Sequence, residues 1–361
     1  MAVNTNFWKN KKVFITGHTG FKGGWISLWL QSMGAEIKGY SLKPELNENI
    51  FEIANIGDGM ETVFGDIRDY KEFSNSIVSF NPEIIFHMAA QPLVRYSYKN
   101  PIETYATNVM GTVNLLEIAS NLDSVRAIVN ITTDKCYENL EIERSYKEND
   151  PMGGYDPYSS SKGCAELATA SFRKSFFNPD EYQRHKTGLA SVRAGNVIGG
   201  GDWAIDRLIP DILKSIGNDK QVLKIRNPDS IRPWQHVLEP LAGYLALAEK
   251  LFNEGPNYSE AWNFGPEDKE IVSVISIVEK LNKLISGGIK WDIDDDVTLH
   301  EAKLLSLDIK KAKERLNWKP YLSIDDSLEL IVDWNDQYLM KTDMKEFTIN
   351  QIQTYQGLIS N

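Results

Sequence analysis

Residues 12–30 read KVFITGHTGFKGGWISLWL, in which a short β-branched run, a glycine-rich turn and an apolar helical pattern follow one another directly. The run Lys12 to Thr16 predicts a buried strand, and Trp25 to Met33 predicts a helix. A second strand, Glu36 to Tyr40, comes next. Strand, glycine turn, helix and strand in this order are typical of the first βαβ unit of a dinucleotide-binding sheet.

The glycine turn has the spacing GxxGxxG, and its three glycines have different expected roles. Gly17 permits a tight turn, Gly20 lets backbone N–H groups approach a pyrophosphate, and Gly23 brings helix and strand together. Thr19 and Phe21 lie in the same turn. These five residues are the predicted phosphate-binding part of a cofactor site.

The choice between NAD and NADP depends on the residues that follow the second strand. An acidic residue that binds the adenosine ribose is usual about 20 residues after the glycine turn. Here Ser41 and Lys43 stand near that place instead, so the sequence leaves the choice open. We favour NAD, because Lys43 lacks the planar fork with which an arginine holds a ribose phosphate.

Apolar runs and helical patterns continue to alternate along the chain. Further strands are predicted at Thr62 to Phe64, Ile84 to Met88, Ala127 to Ile131 and Leu189 to Arg193, and long helices at Thr104 to Asn121 and Tyr158 to Phe176. This alternation predicts an α/β fold, a Rossmann-type doubly wound parallel sheet. The pattern is looser beyond the last of these strands and indicates a smaller mixed C-terminal substrate lobe.

We therefore expect three parts. Residues 1–188 form a dinucleotide-binding Rossmann domain, residues 189–345 form the substrate lobe with some chain returning to the sheet, and residues 346–361 form a C-terminal tail.

Several small or polar residues follow strand ends, where a cofactor passes close to the backbone. Asp66 could accept a hydrogen bond from the adenine amino group or cap the next helix, although Asp69 fits the cap better. Asn108, in the middle of a predicted helix, either bends that helix through its side chain or is exposed. The predicted cofactor contacts at these strand ends are Asp66, Ile67, Ala89, Ala90 and Asn108.

The stretch from Thr132 to Lys162 carries the candidate chemistry. Thr133, Asp134 and Lys135 follow a buried strand, and Tyr158 and Lys162 begin a helix. Residues four apart lie on one helix face, so the Lys162 ammonium is expected close to the Tyr158 phenol. A nearby cation favours the phenolate, which can then accept a hydroxyl proton. We predict that these five residues are catalytic, with Tyr158 and Lys162 also contacting the cofactor.

Composition excludes several classes of function. A formal net charge of −11 argues against general affinity for nucleic acid or anionic membranes. Only two cysteines occur, Cys136 and Cys164, and no metal-ligand spacing is present, so no metal site is expected. The N-terminal residues lack an apolar signal region, and no apolar run reaches about 18 residues. We expect a cytoplasmic protein.

With these segments placed, the chain resembles the extended short-chain dehydrogenase/reductase superfamily along nearly its whole length. The motifs that carry the resemblance are TGHTGFKGG at 16–24, HMAAQ at 87–91, Thr107-Asn108, Thr132-Thr133-Asp134, Tyr158-x-x-x-Lys162, Arg193-x-x-Asn196 and Arg232-x-Trp234. Within the superfamily it looks like a nucleotide-sugar 4,6-dehydratase. Members of that group typically carry Ser-Thr-Asp-Glu where this chain has Thr132 to Lys135.

The Asp134-Lys135 pair, the run GFKGGWISLWL and the phrase RPWQHVLEPLAGYL are together similar to the CDP-glucose 4,6-dehydratases. The resemblance implies bound NAD, a nucleotide-diphosphate sugar (CDP-glucose) as substrate, and a homodimer or dimer of dimers. It also implies a place in deoxysugar biosynthesis, such as that of O-antigens.

The resemblance implies a role for each catalytic candidate. Tyr158, with Lys162 and Thr133, takes the proton from the sugar 4-hydroxyl while hydride leaves for the nicotinamide. The ketone then acidifies the neighbouring carbon, and Asp134 is the candidate acid for loss of the 6-hydroxyl as water. Lys135 is either the base or a cation that stabilises the enolate. The hydride finally returns to carbon 6.

The resemblance also suggests a set of substrate-binding residues, which are Gln91, Asn196, Arg207 and Arg232. Arg232 offers the bidentate donor that a pyrophosphate requires. Three alternatives stay open: a nucleotide-sugar 4-epimerase, a dehydratase for a dTDP- or GDP-linked hexose, and a catalytically silent dinucleotide sensor. An epimerase needs no acid and base after Thr133, so the Asp134-Lys135 pair favours elimination.

Overall fold

A seven-stranded parallel sheet forms the centre of the computed structural model, which describes residues 3–44, 48–141, 143–216, 222–294 and 304–360. Its strands, in chain order β1 to β7, are Lys12–Thr16, Glu36–Ser41, Glu61–Phe64, Ile84–His87, Ala127–Ile131, Gly188–Ala194 and Ala261–Phe264. They lie in the order β7-β6-β5-β4-β1-β2-β3, and every pairing is parallel. The first six strands therefore have the order of a dinucleotide-binding doubly wound sheet.

Helices of eight residues or more connect and cover these strands. In chain order, α1 to α9 are Phe21–Ser32, Tyr70–Phe80, Gly111–Ser120, Pro157–Ser175, Leu208–Ser215, Leu238–Tyr258, Val274–Leu284, Ile324–Leu339 and Met344–Ser360. Shorter helices lie at Thr5–Trp8, Ile50–Ile53, Val94–Lys99, Pro101–Tyr105, Tyr182–His185 and Lys310–Arg315. Within the described ranges, no helix is both long and apolar enough to cross a membrane.

Both faces of the central strands β1, β4 and β5 are buried, which explains their apolar runs. Successive side chains of a strand point to opposite faces. On β1, Val13 and Ile15 join one core together with Trp25 and Trp29 of α1. Phe14, between them, joins a second core on the other face. Helices on both faces thus confirm the predicted Rossmann-type fold.

The predicted strands match the observed ones to within a residue or two at each end. The helix predicted from Thr104 to Asn121 is not uniform, because Pro101–Tyr105 is followed by a π-helical segment, Ala106–Met110, before α3 begins. Asn108 lies in that segment and is buried. Of the two alternatives for Asn108, the structure shows the first, because its side chain is buried and the helix is distorted at this residue.

The C-terminal half both completes the sheet and builds a separate core. β6, β7 and α6 belong to the sheet and its cover. Outside it, α5, α7 and α8 bury a smaller apolar cluster that includes Ile212, Ile277 and Leu328. Residues 346–360 of the predicted tail form most of α9, which packs against α1 with Tyr355 edge-on to Trp29 at 6.0 Å between ring centres. Residue 361 lies outside the described residues.

A buried carboxyl group connects α6 to α9. Glu239 accepts the N–H groups of Tyr321 and Leu322 at 2.8 and 2.6 Å through Oε1, and the Tyr355 hydroxyl at 2.7 Å through Oε2. Burial raises the pKa of Glu239 to about 7. The protonated form is therefore the one that the fold favours.

We expect Glu239→Gln to change how stability depends on pH. A carboxyl whose folded pKa is raised stabilises fully below its unfolded pKa, and this contribution is lost as pH rises through the folded pKa of about 7. Between pH 5 and pH 8 the unfolding free energy should shift in favour of the variant by about 2.5 kcal/mol. Chemical unfolding at both pH values measures this shift. Glu279→Gln, at an exposed residue of α7, is the control. If the unfolding free energies of Glu239→Gln and wild type differ by the same amount at pH 5 and pH 8, the prediction is contradicted.

Candidate active site

A cavity of about 660 Å³ opens where β1, β5 and β6 end. Ligands of open α/β sheets bind at this edge, outside the carboxyl ends of the strands. The predicted site residues that line the cavity are Phe21, Thr133, Asp134, Lys135, Tyr158, Asn196, Arg207 and Arg232. The structure thus brings four of the five catalytic candidates and three of the four predicted substrate contacts to one cavity, and the fifth catalytic candidate, Lys162, does not line it.

The loop after β5, which carries three of the catalytic candidates, is a single 3₁₀ turn, Asp134–Cys136, capped by Thr133. The Thr133 hydroxyl donates to Asp134 Oδ1 at 2.9 Å and accepts the Lys135 N–H at 3.3 Å. Asp134 is 1% exposed, and its Oδ2 atom has no partner in the described part of the chain. A buried carboxyl oxygen without a partner beside a cavity is suited to a polar ligand atom.

Tyr158 and Lys162 lie on the first turns of α4, which Asp156 caps by accepting the Ser159 N–H at 2.9 Å. Burial raises the pKa of Tyr158 to about 12, and a hydrogen bond from Thr133 opposes this rise. The expected lowering of the phenol pKa by Lys162 is therefore not found. The physical reason is that the phenol is buried and the Lys162 ammonium donates instead to the Ile131 carbonyl at 3.1 Å.

Two lysines in this region have lowered pKa values. Burial lowers the pKa of Lys162 to about 8, and Glu166 partly offsets that effect. Burial, Lys162 and Arg207 lower the pKa of Lys22 to about 7, against the attraction of Asp134. Lys22 lines the cavity but was missed from the sequence. Its position directly after Phe21, on the first turn of α1, was the available signal.

A buried ion pair supports the loop that carries Asp134 and Lys135. Glu166, one turn after Lys162, binds the Arg193 guanidinium through both oxygens at 2.8 and 2.9 Å. It also accepts the hydroxyl of Thr132 at 2.5 Å, while Arg193 donates to the Tyr137 hydroxyl at 2.7 Å. Thr132 and Tyr137 flank the loop of Asp134 and Lys135. The pair therefore holds both ends of that loop.

The glycine turn has the shape that a dinucleotide requires. Gly17 adopts φ +75°, and a Cβ there would lie 2.7 Å from the Ala89 nitrogen. A Cβ on Gly23 would lie 2.0 Å from the Gly17 carbonyl oxygen. Gly20 caps α1 without a side-chain hydrogen bond, so the N–H groups of the first turn are available to a pyrophosphate. These residues fit a dinucleotide cofactor.

The other predicted cofactor contacts have different surroundings. Thr19 shares a hydrogen bond of 2.8 Å with Ser41, at the end of β2. The Asp66 carboxylate is held by Arg68, which lowers the pKa of Asp66, and Asp69 rather than Asp66 caps α2. Ile67 packs into the second core, and Ala89 and Ala90 are half-buried beside the glycine turn.

Asn108 and Gln91 bind each other. Asn108 accepts the Gln91 N–H at 2.8 Å and donates to the Gln91 carbonyl and the Ser161 hydroxyl at 3.1 and 2.9 Å. The Gln91 side chain in turn bonds to Leu93 and Thr104. Gln91 does not line the cavity, because its side-chain amide is hydrogen-bonded to Leu93 and Thr104. The side-chain NH₂ group of Asn108 likewise donates both of its hydrogens to protein acceptors.

The substrate end of the cavity is rich in arginine. Asn196 has an Oδ1 atom without a partner in the described residues, and Arg207 is held by Asp202 at 2.8 Å. Arg232 is 8% exposed and donates to the Ile231 carbonyl at 3.0 Å. Two further arginines, Arg95 and Arg226, line the same cavity. The fold brings them there from segments far apart in sequence.

A doubly wound sheet with a glycine-turn cofactor cradle and a Tyr-x-x-x-Lys helix at its carboxyl edge defines a protein of the short-chain dehydrogenase/reductase class. The chain belongs to the GDP-mannose 4,6-dehydratase family, whose profile matches residues 14–331. It is 55% identical over 353 residues to the CDP-glucose 4,6-dehydratase of Salmonella typhimurium, a match that covers 98% of each chain. The resemblance inferred from the motifs is confirmed.

Solved structures share the fold. An epimerase, Mth375 from Methanothermobacter thermautotrophicus, superposes with a TM-score of 0.79 at 22% identity, covering 93% of this chain and 96% of that one. A dTDP-glucose 4,6-dehydratase from Bacillus anthracis, solved with NAD, gives a TM-score of 0.72 at 22% identity and covers 91% and 97%. The same fold thus occurs in epimerases and dehydratases, so the fold alone does not distinguish the two activities.

Proposed function

We propose that this protein is a CDP-glucose 4,6-dehydratase, which converts CDP-glucose to CDP-4-keto-6-deoxyglucose and water. The observation that carries the proposal is the arrangement of Asp134 and Lys135 beside Tyr158 in one cavity, in a chain 55% identical to an enzyme of that name. Oxidation alone needs only the tyrosine, its lysine and a hydroxyl. An acid and a base on the adjoining turn serve elimination.

NAD fits the glycine turn, and when bound it supplies a hydride acceptor and, later, a hydride donor. The protein's part in oxidation is to remove the proton of the sugar 4-hydroxyl. We assign this step to Tyr158, whose hydrogen bond with Thr133 favours the phenolate. The raised pKa of Tyr158 means that positive charge is needed to favour the phenolate, and Arg207 is a nearby cation that acts in this direction.

Elimination requires a base at carbon 5 and an acid at the 6-hydroxyl. The unpartnered Asp134 Oδ2 is suited to carry the proton that the departing hydroxyl takes. Lys135 lines the same cavity, and its ammonium forms no ion pair among the described residues. We assign to Lys135 the removal of the carbon 5 proton. Asp134 protonates the leaving 6-hydroxyl, so water departs. The hydride taken from carbon 4 then returns at carbon 6, and Lys135 returns a proton to carbon 5. The proton that Tyr158 took from the 4-hydroxyl makes up the one that Asp134 gave, so atoms balance.

A single incubation separates this proposal from its alternatives. Purified protein with CDP-glucose should give the alkaline absorbance of a 4-keto-6-deoxy sugar, and dTDP-glucose and GDP-mannose should give much less. An epimerised hexose would instead establish a 4-epimerase. Cofactor binding without turnover of any of the three sugars would establish a dinucleotide sensor.

We expect a homodimer formed through the helices around Ala106–Met110 and α4. Ile102, Met110 and Leu167 are apolar side chains in these segments that are 86%, 52% and 61% exposed, and a partner subunit would cover them. Sedimentation should give twice the chain mass, or four times it for a dimer of dimers. Leu167→Glu should shift the species toward monomer, and a wild-type protein that sediments as a monomer would contradict the prediction. We place the enzyme in the cytoplasm, in the synthesis of deoxysugars such as those of O-antigens.

A further inference from the structure

The arginine-rich end of the cavity contains a carboxylate in an unusual position. Asp206 Oδ1 lies 3.7 Å from Arg95 Nη1 and 3.6 Å from Arg226 Nη1. One oxygen therefore stands between two guanidinium groups and is too far from either for a hydrogen bond. The Asp206 side chain is 43% exposed. Such a contact neutralises charge without fixing geometry.

The neighbouring pair shows the contrast. Asp202 is 6% exposed and binds Arg207 at 2.8 Å, so that pair is a hydrogen-bonded part of the fold. Arg95, by comparison, has a buried Nε with no partner in the described part of the chain. An arginine that has a loose ion pair on one nitrogen and an unsatisfied N–H on another retains donors for a ligand.

We infer that the Asp206 carboxylate occupies the place of a phosphate oxygen of the substrate's diphosphate, and that it competes with the diphosphate for Arg95 and Arg226. This inference rests on the proposed function. Two guanidinium groups that share one carboxylate oxygen repel each other, and Asp206 reduces that repulsion in the free enzyme. A diphosphate offers more charge and bidentate oxygens, so it displaces the carboxylate.

Asp206 therefore sets the affinity of the nucleotide-diphosphate end of the site. Its location allows this, because it lies between Asp202 and α5 and adopts φ +58°, a left-handed backbone conformation. Asparagine adopts that conformation readily, so Asp206→Asn removes the charge while preserving the backbone. The variant therefore tests the effect of the carboxylate charge without a change in the shape of the loop.

The test is calorimetric titration of CDP and of cytidine, which lacks the diphosphate, into wild type and Asp206→Asn at matched salt. We expect CDP to bind the variant about three- to tenfold more tightly, and cytidine to bind both proteins equally. The gain should shrink as salt is raised, because screening weakens the repulsion between the Asp206 carboxylate, which is 43% exposed, and the diphosphate.

Asp325→Asn is the matched control, since Asp325 is an exposed aspartate on α8 that pairs with Lys280 and does not line the cavity. Its affinity for CDP should equal that of wild type. Equal or weaker CDP binding by Asp206→Asn, or equal tightening in both variants, would overturn the inference. Turnover of CDP-glucose by wild type, measured alongside, tests the proposed function separately.

Discussion

Replacing Tyr158 with phenylalanine is expected to lower the turnover of CDP-glucose by about 10²- to 10⁴-fold, the usual contribution of a general acid or base. The phenol oxygen is the only atom lost, and the ring still fills its buried place on α4. Affinity for NAD should stay within a factor of about three, because the glycine turn is untouched. Fluorescence titration of the cofactor and a product assay measure the two effects separately.

The matched control is Tyr155→Phe, which removes the same atom from a tyrosine that lies on the cavity wall and is 76% exposed. Its turnover should be close to that of wild type. A Tyr158→Phe protein that binds NAD and also turns over CDP-glucose at the wild-type rate would remove Tyr158 from the role of base.

Asp134→Asn should stop the reaction at a different point. The amide still accepts the Thr133 hydroxyl through its oxygen, so the loop keeps its geometry, but no proton can be given to the leaving hydroxyl. Product should fall by about 10²- to 10³-fold. Oxidation at carbon 4 should continue, because Tyr158 and Lys162 are intact. In deuterated water, carbon 5 should then exchange its hydrogen without release of product.

Lys135→Met distinguishes the two roles that remain open for this lysine. If Lys135 is the base, the variant loses both product and carbon 5 exchange. If it only stabilises the enolate as a cation, exchange slows but persists. Asp134→Asn with neither exchange nor product would show that the aspartate acts before elimination, contrary to the assignment.

The fold could be predicted from the sequence because its signals are local. β-Branched runs bounded by turn residues gave the positions of the strands, and the glycine turn indicated the first βαβ unit. The π-helical segment at Ala106–Met110 could not be predicted, since it accompanies bonds from Asn108 to Gln91 and to Ser161, which lies 53 residues away.

The site was predictable in its residue types and less so in its electrostatics. Four of the five catalytic candidates, Thr133, Asp134, Lys135 and Tyr158, line one cavity, as the order of strand ends and helix starts indicated. The direction of the Tyr158 pKa shift was wrong, because burial depends on tertiary packing that spacing on a helix does not report. Arg95, Arg226 and Asp206 meet only in three dimensions, so no motif links them.

The most direct test of the proposed chemistry follows one hydrogen atom. CDP-glucose labelled with deuterium at carbon 4 is incubated with the wild-type protein, and the product is examined by nuclear magnetic resonance. Oxidation, elimination and reduction at one site predict that the deuterium is found on carbon 6 of the 4-keto-6-deoxy sugar. Deuterium that stays on carbon 4, or that is lost to water, would contradict the account.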